Sequence, residues 1–304
     1  MEQKNSNKVR NSFLLFLTAF IWGVAFVAQS VGMEHMGPFT FNGTRSLIGA
    51  TVLLPLIGFR SAGQKKEDSE AKKKAERKVT LPGGICCGLA LAAASMFQQY
   101  GILYTTVGKA GFITALYIII VPILGLFFGK NVRKLVWGGA LIAAAGMYLL
   151  CVNEQASLNL GDILVFIGSV LFAVHILVID HFSPKTDGVK LSCIQFYAAG
   201  ILCTVGAFLF EEPYLAGIWQ GIIPILYAGV MSCGVAYTLQ IIGQKDMDPT
   251  VASLILSLES VISVLAGWVL LGQALALKEM IGCALVFAAV ILVQLPEKNA
   301  GNAV

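Results

Sequence analysis

The sequence predicts an all-α integral membrane protein: ten transmembrane helices in two inverted five-helix repeats, N- and C-termini cytoplasmic. Three observations predict it. First, 57% of the 304 residues are hydrophobic and 12% are charged, whereas a soluble domain is about a quarter charged. The apolar residues fall in blocks of about 20, the length of helix that crosses ~30 Å of hydrocarbon. Second, Lys and Arg alternate in abundance from one connection to the next. Third, the two halves resemble each other at an offset of about 140 residues, which makes the repeated unit an odd number of helices.

The blocks run roughly 13–33, 39–59, 81–104, 109–128, 135–152, 160–180, 189–210, 218–240, 249–271 and 276–295, each boundary good to about three residues. Inside a bilayer no water satisfies backbone groups, so each block must be a helix. The first block lacks a small-residue cleavage site and reads as a retained signal anchor. This gives a cytoplasmic tail (1–12), a first repeat (13–152), a second repeat (153–295) and a second tail (296–304). Residues 60–80, "RSAGQKKEDSEAKKKAERK" and its flanks, read as a solvated cytoplasmic linker or as a contact for anionic lipid.

Basic residues gather on the cytoplasmic side of membrane proteins. With the N-terminus inside, 18 of the 21 Lys and Arg fall in the inner segments, eight of them between Arg60 and Lys78. Only Lys109 and Lys278 lie outside, and Arg45 sits within a span.

The repeat shows best where "VPILGLFFGKNVRKLVWGGALIAAAGMYLL" parallels "SVLAGWVLLGQALALKEMIGCALVFAAVILV". Five helices per unit turn the second copy upside down relative to the first. Inverted repeats are the recurrent architecture of secondary transporters, with the substrate site near the midplane between copies.

The stretches "FIWGVAFVAQ" (20–29), "GPFTFNGTRSLIGATVLLPL" (37–56), "KAGFITALYIIIVPIL" (109–124) and "LESVISVLAGWVLLGQ" (258–273) resemble signatures of the drug/metabolite transporter superfamily, EamA type. The likeness covers nearly the whole chain. It implies a ten-helix, multi-pass carrier of the bacterial inner membrane, usually an exporter of amino acids or related metabolites. The sequence departs from the family pattern at Gly129-Lys130 and Gly272-Gln273, where Gly-Glu is common. It departs again at Leu258-Glu259-Ser260, where Leu-Glu-Pro is common.

The polar residues inside spans are the candidate site. Glu259 lies near the centre of the ninth span, where an acid costs about 2.5–3.5 kcal/mol on insertion scales and must face protein or water. It either couples transport to protons or pins its helix by a hydrogen bond. Ser253, Ser257 and Ser260 form a stripe suited to helix packing, which leaves the Glu259/Ser263 side for a cavity. Arg45, about 10 Å into the second span, either snorkels to the outer surface or makes a structural pair, or it binds a substrate carboxylate at an outer vestibule.

Cys233, Tyr237, Gln240 and Gln244 share one face of the eighth helix. Gln98, Gln99, Tyr100 and Tyr104 lie on the third helix, its repeat partner. These amides and phenols form either a cavity wall or interhelical contacts. Thr114, Tyr117, Trp22 and His175 are candidates of the same kind, the histidine being the residue that titrates nearest neutrality when unperturbed.

The seven cysteines lie in or at the ends of helices without CxxC spacing, and the three histidines are scattered. No metal or other cofactor is therefore expected. No GxxxxGK[ST] motif occurs, so the energy source would be a gradient or exchange. The expected partners are a small organic molecule, protons where Glu259 couples, the lipid bilayer, and a second copy if the fifth and tenth helices form a homodimer. Nucleic acid is not among them. The alternative class is a membrane-embedded enzyme acting on a lipid, which would need clustered acids or a His/Asp pair near one interface.

Overall fold

The computed structural model describes residues 2–63, 70–127, 129, 132, 134–151, 159–245, 247–272 and 276–294. Every regular element among these residues is helical: α1 (Glu2–Gly32), α2 (Pro38–Gly63), α3 (Glu70–Ile102), α4 (Val107–Ala115), α5 (Tyr117–Phe127), α6 (Lys134–Cys151), α7 (Leu160–Phe182) and α8 (Gly188–Phe210) come first. Short α9 (Leu215–Gln220) and α10 (Ile222–Leu226) lead into a π-helical stretch (Tyr227–Ala236) and α11 (Tyr237–Gln244). Then follow α12 (Pro249–Leu256), α13 (Leu258–Leu271) and α14 (Leu277–Gln294).

Among the described residues, seven helical stretches are long and apolar enough to cross a membrane: Lys8–Gly32, Glu76–Ile102, Val107–Phe127, Leu160–Lys185, Gly188–Phe210, Ile222–Gln244 and Pro249–Leu270. Lys134–Gly146 and Met280–Val293 are apolar but shorter. The second expected span is helical too, but Asn42, Arg45 and Ser46 dilute its apolar character.

Two expectations need correction. The 60–80 linker is largely helix, since α2 runs to Gly63 and α3 starts at Glu70; residues 64–69 lie outside the described residues. The 1–12 tail, whose secondary structure the sequence leaves open, is helical from Glu2, while the 296–304 tail lies outside the described residues. Finally, the fourth, eighth and ninth spans are not continuous α-helices. The fourth breaks at Leu116 and the ninth at Ser257, and the eighth passes through π-geometry.

Glycines let the helices approach closely and show how they run. A methyl on Gly43 would lie 2.8 Å from Thr204 Oγ1, one on Gly200 2.8 Å from Leu47, and one on Gly206 2.4 Å from Phe39. Helices α2 and α8 are therefore antiparallel. By the same test α6 is antiparallel to α14, with Gly139 against Val293 and Gly146 against Gly282, and α4 to α13, with Gly111 against Ser263 and Gly108 against Val264. The other contacts recur in pairs. Helix α1 packs on the π-stretch and α11 as α7 packs on α3, and α2 lies on the π-stretch as α8 lies on α3.

The ends of the bundle repeat the theme. Asn11 Nδ2 donates to the Lys245 carbonyl at 3.0 Å, and Asn159 Nδ2 donates to the Tyr104 carbonyl at 3.0 Å. Beside Asn159, Asp162 accepts from Thr105 Oγ1 at 2.7 Å and from Lys109 Nζ at 3.0 Å.

Candidate functional site

Two interrupted helices meet at the middle of the molecule. Thr106 caps α4, and Asp248, followed by Pro249 at the first helical position, caps α12. Each rod then tightens for one turn. Leu116 has φ −60° and ψ −12°, and Ser257 has φ −61° and ψ −14°. Both turns carry i→i−3 bonds, Ile119 N–H to Leu116 O at 3.0 Å and Ser260 N–H to Ser257 O at 3.1 Å, the tighter 3₁₀ pattern. The causes differ. Ser169 of α7 donates its hydroxyl to the Thr114 carbonyl at 2.8 Å, an insertion into the first ladder from outside. In the second rod Ser253, Ser257, Ser260 and Ser263 each donate to a carbonyl three residues back, at 2.7–2.8 Å, a pattern that bends helices.

Just past the breaks, Tyr117 Oη donates to Glu259 Oε1 at 2.7 Å. The carboxyl is buried at 4% exposure. Around this pair lies a small, partly open cavity of about 30 Å³. It is lined from α1 by Trp22, Phe26 and Gln29, from α2 by Arg45, and from α3 by Gln98. Helix α7 supplies Phe172, His175 and Ile176, and the π-stretch and α11 supply Ser232, Tyr237 and Gln240. Thr114, Tyr117 and Glu259 come from the broken helices.

Tyr237 is the centre of the aromatic wall, 4.4 Å from the Trp22 ring, 5.3 Å from Phe196 and 6.0 Å from His175 between ring centres. His175 Nε2 lies 3.1 Å from Gln195 Oε1, and Gln98 Nε2 donates to Thr114 Oγ1 at 2.9 Å.

Nine of the residues singled out from the sequence therefore line one cavity: Trp22, Arg45, Gln98, Thr114, Tyr117, His175, Tyr237, Gln240 and Glu259. Gln99 and Tyr100 do not. Successive residues on a helix point about 100° apart, so Gln98, Gln99 and Tyr100 cannot all face one space, and Gln98 takes the position. Gln99 is buried behind it, donating to the Gln29 carbonyl at 3.3 Å. Tyr100 packs edge-on against Phe39, 5.9 Å between ring centres. Arg45 is 5% exposed and faces the cavity, so it does not snorkel.

Two register details also differ from expectation. Ser263 packs on Gly111, where an added methyl would lie 2.6 Å from its Oγ, and not on the cavity. Cys233 packs on Gly49 of α2, and Ser232 takes the lining position. The cause is the π-turn: the Tyr237 N–H bonds to Ser232 O, five residues back, so i and i+5 align instead of i and i+4. Gln29 and Phe26 were legible but overlooked. They stand with Trp22 at i, i+4 and i+7 on one face of α1.

The EamA-like transporter family matches the chain twice, over residues 10–152 and 159–295. An uncharacterized transporter of Archaeoglobus fulgidus is 30% identical over 92% of this chain and 84% of its own length. The uncharacterized inner membrane transporter YedA of Escherichia coli (strain K12) is 24% identical over 92% of this chain and 89% of its own. The uncharacterized transporter YoaV of Bacillus subtilis is 20% identical over 90% and 92%. A protein of known crystal structure aligns with 97% of this chain and 99% of its own at a TM-score of 0.76 and 17% identity, a likeness of fold alone. With these matches and its apolar helices, the chain is a multi-pass membrane protein that belongs to the EamA-like transporter family of the drug/metabolite transporter superfamily.

Proposed function

We propose that the protein is a secondary active transporter, moving small organic metabolites across the bacterial inner membrane by alternating access to the central cavity. In this reading ten helices cross the bilayer as two inverted five-helix units, with both termini in the cytoplasm. The double family match, the antiparallel pairing of α2 with α8, α4 with α13 and α6 with α14, and the basic inner loops support it. The transporter names of the relatives support the activity, and the name of YedA supports the inner membrane. The direction we propose is export.

One observation carries the mechanism: the Tyr117–Glu259 hydrogen bond joins the breaks of the two corresponding helices inside the cavity. Interrupted helices at matching positions of inverted repeats are where transporters place cargo and coupling ions. Rocking one unit against the other shifts one broken helix past its counterpart. Glu259, released from Tyr117, can then exchange a proton with water on the side that has opened. In proteoliposomes, Glu259→Gln abolishes proton-driven uptake and leaves counterflow exchange. Equal loss of both from a stably folded variant contradicts coupling through this acid.

A further inference from the structure

Among the described residues, the cavity holds a cation without an ion-pair partner. Arg45 is 5% exposed and its Nε has no hydrogen-bond partner. The Phe41 ring lies 5.5 Å from its guanidinium carbon. The lining holds one carboxyl, Glu259, and that group is engaged by Tyr117 at 2.7 Å. No ion pair joins it to Arg45 among the described residues. A buried charge without a partner is costly to hold, and an arginine fork matches a carboxylate or phosphate better than any neutral group.

Three further polar atoms of the same lining are buried and unpaired. Trp22 Nε1 is a donor, and Gln29 Oε1 and Gln240 Oε1 are acceptors. Such atoms in one cavity describe, by complement, what the cavity takes. Phe26, Phe172 and Tyr237 supply apolar and aromatic surface between them.

We propose that the cargo is an organic anion whose acidic group docks on Arg45, with neighbouring hydrogen-bond donors facing Gln29 and Gln240 and an apolar body against the aromatic wall. This names the class of substrate for the transport reading above and rests on it.

The test uses the purified full-length chain in detergent and a matched series: 3-phenyllactate, its amide, its methyl ester, and 3-phenylpropionate. Affinity is read from thermal stabilisation at graded ligand concentration. The acid binds wild type more tightly than its amide or ester, and 3-phenylpropionate, lacking the hydroxyl donor, binds more weakly than 3-phenyllactate. Arg45→Gln lowers affinity for the acid by about 30-fold or more and erases its advantage over the amide. Arg45→Lys keeps the preference in weakened form.

The wild-type comparison and Arg45→Lys carry the test even where Arg45→Gln does not fold. No difference between acid and amide in wild type, or an undiminished preference in folded Arg45→Gln, overturns the proposal. Liposomes separate the two claims. Acid-selective binding without flux would contradict transport and leave the anion site standing. Flux of amide and acid alike would contradict the anion site and leave transport standing.

Discussion

The two broken rods, α4–α5 and α12–α13, share a backbone and differ in chemistry. Their turn residues, Leu116 and Ser257, have nearly the same torsions. Each rod ends in the vicinity of a glycine in left-handed geometry, Gly129 at φ 71° and Gly272 at φ 66°. Yet the first break is held from outside by Ser169, and the second by its own serines. The first presents a phenol, Tyr117, and the second a carboxyl, Glu259. An architecture that is duplicated in backbone thus leaves side chains free to diverge where the copies meet.

That comparison can be broken at its centre first. Tyr117→Phe keeps the ring and removes the donor to Glu259. Gradient-driven transport should fall at least about tenfold, the range in which a positioned proton carrier matters, while the protein stays folded. Unchanged transport would make the phenol a packing residue.

Close approach is the next dependence. A methyl on Gly23 would lie 2.4 Å from Ile262 Cβ and 2.9 Å from the Glu259 carbonyl. Gly23→Ala forces α1 away from α13 and should destabilise by about 1–3 kcal/mol, seen as a lower unfolding midpoint in detergent. Glycines at the rod ends are different. Among the described residues nothing lies within 4 Å of a methyl at Gly129 or Gly272, so Gly129→Ala and Gly272→Ala should cost mainly backbone strain, about 1–2 kcal/mol each. Equal losses would confirm that the two ends are equivalent, and unequal ones would separate them.

The smallest expected effects discriminate between the causes of the breaks. Ser169→Ala removes an interhelical bond of about 0.6–2 kcal/mol. Ser257→Ala removes only a local bond to Leu254 O, which bends the helix without tying it to another. Its stability change should be near zero. A larger loss for Ser257→Ala would reverse the assignment.

Much of this was legible in the sequence because a bilayer enforces simple rules. Apolar blocks located most helices, and intramembrane polar residues converged on one cavity, since charged and amide groups cannot face lipid cheaply. The failures have one origin: pattern reasoning assumes a regular α-helix. At the π-stretch the period lengthens and Ser232 replaces Cys233. At Ser257 the turn tightens and Ser263 rotates onto Gly111. Three adjacent candidates on α3 could not be ranked, because a single sequence gives the spacing of Gln98, Gln99 and Tyr100 but not the helix's rotation. The partner of Glu259 was hidden for a related reason: Tyr117 is 142 residues away in the chain, and only the meeting of the two breaks brings it near.

The central claim is that one cavity between opposed halves opens to each side in turn. Its most direct test is a cysteine-free chain carrying Gln240→Cys, in membrane vesicles of known orientation, treated with an impermeant maleimide from one side and then the other. The account predicts labelling from both sides, with cargo protecting against each. Labelling from one side alone under all conditions would contradict it.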